Sequence, residues 1–200
     1  MKKMEIAAIL GFAAALVVSS FCKSADTLHD LEKDVLRLHI LANSDSYDDQ
    51  LLKYAVRDAV LEKGSCYFEN VYSLEDAKAV AVGCLPSIEE IARETVAEKG
   101  YDYTVTAEYE NIYFDERVYE NITMPAGVYN AVRINIGSAE GQNWWCVMYP
   151  PLCVPAASKD ESAEEYFTEN EKEMLQEPQK FRYKLKCLEW FSEVWENICE

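Results

Sequence analysis

Three groups of residues carry side chains suited to chemistry. His39, one of two histidines, would supply a base to a secreted hydrolase or cation-dependent enzyme, with Cys146 as nucleophile or Asp45 as carboxylate. Against this, Cys146 lies in an apolar run with no neighbour in sequence to lower its pKa. Asn43, Asp45, Asp48 and Asp49 offer oxygen ligands to a hard cation, but the segment lacks the glycine and terminal glutamate of an EF-hand loop. Capping of the following helix explains these residues without an ion, and neither metal nor cofactor is expected. The third group is Arg37, His39, Lys53, Arg57 and Asp58. If their strand and helix pack together, they form a polar patch beside the shared edge, reaching Asn43 and Asp45. Ordinary surface ion pairing is the competing reading.

The segment from Asn143 to Cys153 is apolar without a break from Trp144 to Tyr149. As a strand it would place Trp144, Cys146 and Met148 on one face and Trp145, Val147 and Tyr149 on the other. Such a strand is either the centre of a core or a recognition surface. Aromatic anchors dominate binding hot spots, so Trp144, Trp145, Tyr149, Pro150 and Pro151 are candidate partner contacts. Cys146 and Cys153 would stand about 23 Å apart in an extended chain, whereas a disulfide needs Cα atoms roughly 4.4–6.8 Å apart. Pro150-Pro151 is suited to the reversal a bridge requires, with a cis bond as one route. Two buried thiols are the alternative.

These residues need elements to hold them. Residues 35–42 alternate as a strand, with Leu36, Leu38 and Ile40 opposite Arg37 and His39. A helix over 48–63 follows a capping turn at 43–46. A second helix opens at Ser73, is broken or kinked at Pro86, and restarts at Ser87 with Glu90 as its capping box. Strands follow over 101–109 and 128–136. The turn Gly137–Gly141 joins the latter to the tryptophan strand as a hairpin. This order predicts an α+β fold, a mostly antiparallel sheet with helices packed on one face, over residues 35–155. Residues 156–178, rich in Asp and Glu, read as an acidic connector or a solvated helix face. Residues 179–200 read as an amphipathic helix packing on the core through Leu185, Leu188, Phe191, Trp195 and Ile198.

With 19 basic and 36 acidic side chains the net charge is −17, which repels phosphate backbones and excludes nucleic acid as a partner. Lys2 and Lys3 precede an apolar run from Ile6 to Val18, followed by Ser19, Ser20, Ser24 and Ala25. This is the layout of an export signal over residues 1–25, or of an anchor retained uncleaved. The run is short for a spanning helix, which needs about 20 residues. Residues 26–34 read as a polar lead-in. Export gives the cysteines a disulfide-permissive compartment.

The segments 37–45 (Arg-Leu-His-Ile-Leu-Ala-Asn-Ser-Asp) and 49–58, Pro125-Ala126-Gly127-Val128-Tyr129-Asn130-Ala131, and the run Asn143–Cys153 occur in one order. Together, with residues 184–190, they resemble the stage II sporulation protein R family. That resemblance implies a signalling protein of endospore-forming bacteria, made in the forespore and exported into the space between two membranes. There it would activate a membrane-embedded aspartic protease on the mother-cell side, which removes the pro-sequence of the early mother-cell sigma factor. It implies no catalytic residues in this chain. A redox sensor built on Cys146 and Cys153 is a third reading.

Overall fold

The computed structural model describes residues 2–68, 71, 73–119, 122–150, 167–178 and 181. In order they form α1 (Lys2–Asp34), β1 (Leu36–Leu41), α2 (Tyr47–Gly64), a 3-10 turn (Ser65–Phe68), α3 (Leu74–Glu98), β2 (Val105–Phe114), β3 (Arg117–Tyr119), β4 (Ile122–Met124), β5 (Gly127–Ile136), β6 (Asn143–Tyr149) and α4 (Glu169–Gln176). The chain divides into two compact units. Glu32–Phe114 and Gly127–Phe167 supply the larger; Met1–Leu31, Asp115–Ala126 and Thr168–Glu200 supply the smaller.

The larger unit is built on a four-stranded sheet of order β2-β5-β1-β6. β1 runs parallel to β5 and antiparallel to β6, and β2 runs antiparallel to β5. The fold is α+β with a mixed sheet in which antiparallel pairs predominate. The expected β5–β6 hairpin does not form, because β1 lies between them. All six residues of β1 are buried, as suits a central strand covered on both faces and paired on both edges. The chain from Gly137 to Gln142 therefore crosses the end of β1 instead of turning tightly.

Leu36, Leu38 and Ile40 share one face of the sheet with Val132, Ile134, Ile136 and Cys146. Against it pack Leu52, Val56 and Val60 of α2 and Ala81, Ile88, Ala92 and Val96 of α3. α3 is one helix with Pro86 inside it, capped at Ser73, whose Oγ accepts from Asp76 N. Of the expected break or kink at Pro86, the break is absent. Apolar burial on both sides of the proline carries the helix through its missing hydrogen bond.

Residues 26–34 continue α1 and are not a separate lead-in. Ser24, Thr27 and Leu31 are buried at helical spacing, and the Ser24 and Thr27 hydroxyls donate to the carbonyls of Ser20 and Lys23. No helix among the described residues is long and apolar enough to cross a membrane. In the smaller unit β3 and β4 pair antiparallel. Within the acidic stretch, Thr168 and Glu171 form a capping box that starts α4, and Met174 and Leu175 are buried, so its described part is a packed helix, not a loose connector. The amphipathic helix expected over 179–200 lies outside the described residues, apart from Phe181.

Candidate functional site

Asn43 lies in the loop between β1 and α2, and this loop is clasped to the 137–142 segment. The Asn43 carboxamide donates to Asp49 Oδ2 at 2.9 Å, while its Oδ1 accepts from Ser138 N at 2.9 Å. Gly141 N donates to Ala42 O at 2.9 Å, and Gln142 N donates to Asp45 Oδ1 at 2.7 Å. Lys53, buried on α2, closes the clasp by donating to Gln142 O at 2.9 Å and Gln50 Oε1 at 2.6 Å. Burial pushes the Asp49 carboxyl upward, but hydrogen bonds from Ser44, Asn43, Tyr103 and Ser46 outweigh it and hold the group below 3.8. The oxygen-rich cluster seen in the sequence thus holds two loops together. Among the described residues, no three His, Cys, Asp or Glu side chains converge as a metal-binding group.

The second face of the sheet is cationic and aromatic. Arg37 is fully buried, its Cζ 3.9 Å from the Phe114 ring centroid and 5.0 Å from that of Tyr129. His39 lies next on the same face, edge-on to Phe114 and Trp145. Its Nε2 donates to Asn143 Oδ1 at 2.7 Å. Burial holds the imidazole below 6.5; Arg133 and Arg37 act in the same direction, Asn143 and Glu110 against it. His39 pairs with Trp145 and Leu38 with Cys146, so His39 and Cys146 project to opposite faces. A thiol–imidazole catalytic pair is therefore ruled out by register. Asp45 is committed to Gln142, not to His39.

Nor do the members of the expected polar patch meet. Arg37 and His39 face away from α2. Arg57 lies on α2, bonded to Asp58 and set between two rings, its Cζ 4.9 Å from Tyr54 and 5.3 Å from Trp144. The tryptophans divide the same way, both half-buried. Trp144 turns to the helix-covered side and Trp145 to the His39 side. A register shift between Leu36 and Arg37 carries Tyr149 into the helix-side core with Met148, so it is buried rather than opposite Met148. Pro150 is buried and follows a cis peptide bond. Pro151 and Cys153 lie outside the described residues. Cys146 is fully buried.

One surface feature escaped the sequence reading. Tyr47, Leu51 and Tyr54 stand exposed along the outer side of α2. Their spacing was a visible signal, overlooked because the buried stripe on the same helix absorbed the apolar pattern.

Comparison with known proteins sets this geometry in context. Residues 32–159 match the family described as Stage II sporulation protein R. The chain is 41% identical over 130 residues to Stage II sporulation protein R of Bacillus subtilis (strain 168), covering 65% of this chain and 58% of that protein. No solved structure matches. The family match spans most of the larger unit, including the β1–α2 clasp and the tryptophan strand. This chain belongs to the Stage II sporulation protein R family.

Proposed function

We propose that this chain is an exported, non-enzymatic sporulation signal. Made in the forespore, it crosses into the intermembrane space, directed by its N-terminal segment, which either is cleaved or stays as an anchor. There it binds and activates a membrane-embedded aspartic protease on the mother-cell side, which processes the pro-form of the early mother-cell sigma factor. Family membership supports the sporulation role, and the apolar face of α1, with Ile6, Ile9, Phe12 and Leu16 exposed, is consistent with export. The matched relative extends well beyond the shared region, and the protease and its activation belong to this proposal.

The observation that carries the binding reading is Trp144. It is half-exposed on an edge strand and held against the Arg57 guanidinium, a large aromatic fixed in place before any partner arrives. Activation then follows from differential affinity: a ligand that prefers the protease's active state shifts its population. The same reading pairs Cys146 with Cys153, supported by the burial of Cys146 and by a proline pair suited to chain reversal between them. In sporulating cells, Trp144→Ala should abolish sigma-factor processing at unchanged levels of the exported protein. Normal processing in that variant would overturn the reading.

A further inference from the structure

We propose that Cys66 and Cys84 are a reactive thiol pair that closes to a disulfide in an oxidising compartment, tying the end of α2 to α3. The inference rests on the export reading above, which supplies that compartment, and adds a covalent bond to the larger unit.

The fold brings the pair together. Asp48 near the start of α2 and Lys99 just past the end of α3 line one cleft, so the two helices pack antiparallel. The far end of α2, and the 3-10 turn that continues it, therefore lie against the first half of α3. Tyr67 and Phe68 of the turn pack on the same core as Cys84 and Leu85 of α3. Cys66 is exposed, its Sγ donating to Lys63 O at 3.2 Å, and Cys84 is half-buried. Both thiols are free in the structure. Burial, and then the charge of Cys66, push the Cys84 thiol up, so the two groups lie within range of each other's charge. A bridge needs Cα atoms about 4.4–6.8 Å apart. Two features let the backbone adjust to it: the turn is short, and α3 lacks the hydrogen bond that an N–H at Pro86 would make, two residues beyond Cys84.

Exposure sets the order of reaction. The Cys66 thiolate attacks one sulfur of an oxidising disulfide, either glutathione disulfide or that of a thiol oxidase, and expels the other sulfur as a thiolate. The Cys84 thiolate then attacks Cys66 Sγ in the mixed disulfide and expels the second thiolate. Each thiol proton ends on one of the departing sulfurs, so two thiols are oxidised and the donor disulfide is reduced to two thiols. Cys66 carries no charge while it is in the mixed disulfide, which removes its part in holding the Cys84 thiol protonated.

The test uses purified full-length wild type, reduced with dithiothreitol and then held in glutathione disulfide. Remaining thiols are blocked with iodoacetamide and tryptic peptides are mapped by mass spectrometry. The expected product joins peptide 64–78, which carries Cys66, to peptide 79–93, which carries Cys84, without the two thiol hydrogens. Dithiothreitol should separate the two peptides again. Iodoacetamide label on both cysteines after oxidation, or either one joined to glutathione or to another cysteine, would overturn the pair. The chain recovered from sporulating cells should carry the same linked peptide. If the purified chain forms the bridge but the cellular chain holds both thiols free, the export reading is overturned and the pair stands.

Discussion

His39 Nε2 donates to the Asn143 side-chain oxygen at 2.7 Å, tying the central strand β1 to the first residue of the tryptophan strand. The bond sets the tautomer, with the proton on Nε2 and the lone pair on Nδ1, which has no hydrogen-bond partner among the described residues. Arg37 and Arg133 lie close enough to oppose a second proton. The imidazole is built to stay neutral.

A pH dependence of stability follows. In the unfolded chain this imidazole takes a proton near 6.5; in the folded chain, burial above all delays it to lower pH. Between those points the unfolded state holds more protons, so the contribution is complete above pH 6.5 and is lost as pH falls through the folded pKa. Urea melts of wild type should show stability declining below pH 6.5, and His39→Gln should flatten that decline.

Gly137 is required by the clasp. Its φ is +61°, and a Cβ there would stand 2.2 Å from Asn43 Oδ1. Gly137→Ala should destabilise by about 1–3 kcal/mol from backbone conformation alone, with the clash adding to it. Ala139, at φ 55°, is the internal contrast: Ala139→Gly relieves a left-handed alanine and should be neutral or stabilising in the same thermal melt.

Asp49 is the acceptor at the centre of the clasp. Asp49→Ala would leave the Asn43 and Ser44 donors without their carboxylate, at a cost of about 1–3 kcal/mol in denaturant melts. Because the hydrogen bonds hold its pKa below 3.8, the stabilisation is present above pH 3.8 and is lost as pH falls through the folded value. The variant should lack that acid-side loss.

Arg37→Ala tests the second face of the sheet. It removes a fully buried guanidinium packed on Phe114 and Tyr129, and should destabilise by about 2–4 kcal/mol from lost cation–π contact and the cavity left behind. Thermal melts measure the loss.

Local pattern made β1, α2 and the start of α3 legible in the sequence, through Leu36-x-Leu38-x-Ile40, the Leu52/Val56/Val60 stripe and the Ser73 cap. Strand pairing was not, because it is decided at long range: Gly137–Gly141 has the length of a hairpin turn, yet β1 pairs on both edges and lies between β5 and β6. Arg37 and His39 read as a polar face because alternation cannot show that Phe114 and Tyr129, from distant strands, cover the guanidinium. For the same reason the patch joining them to Arg57 was misplaced. The split of Trp144 from Trp145 followed from strand period, and the displacement of Tyr149 by the register shift did not.

The central claim is that the chain acts by binding through the Trp144–Arg57 edge. Its most direct test reconstitutes the protease and its pro-sigma-factor substrate in vesicles and adds purified full-length chain from outside, wild type or Trp144→Ala, while scoring processing. The account predicts processing with wild type and none with Trp144→Ala, the two chains melting within a few degrees of each other. Equal processing by both, or a Trp144→Ala chain that fails only because it no longer folds, would contradict it.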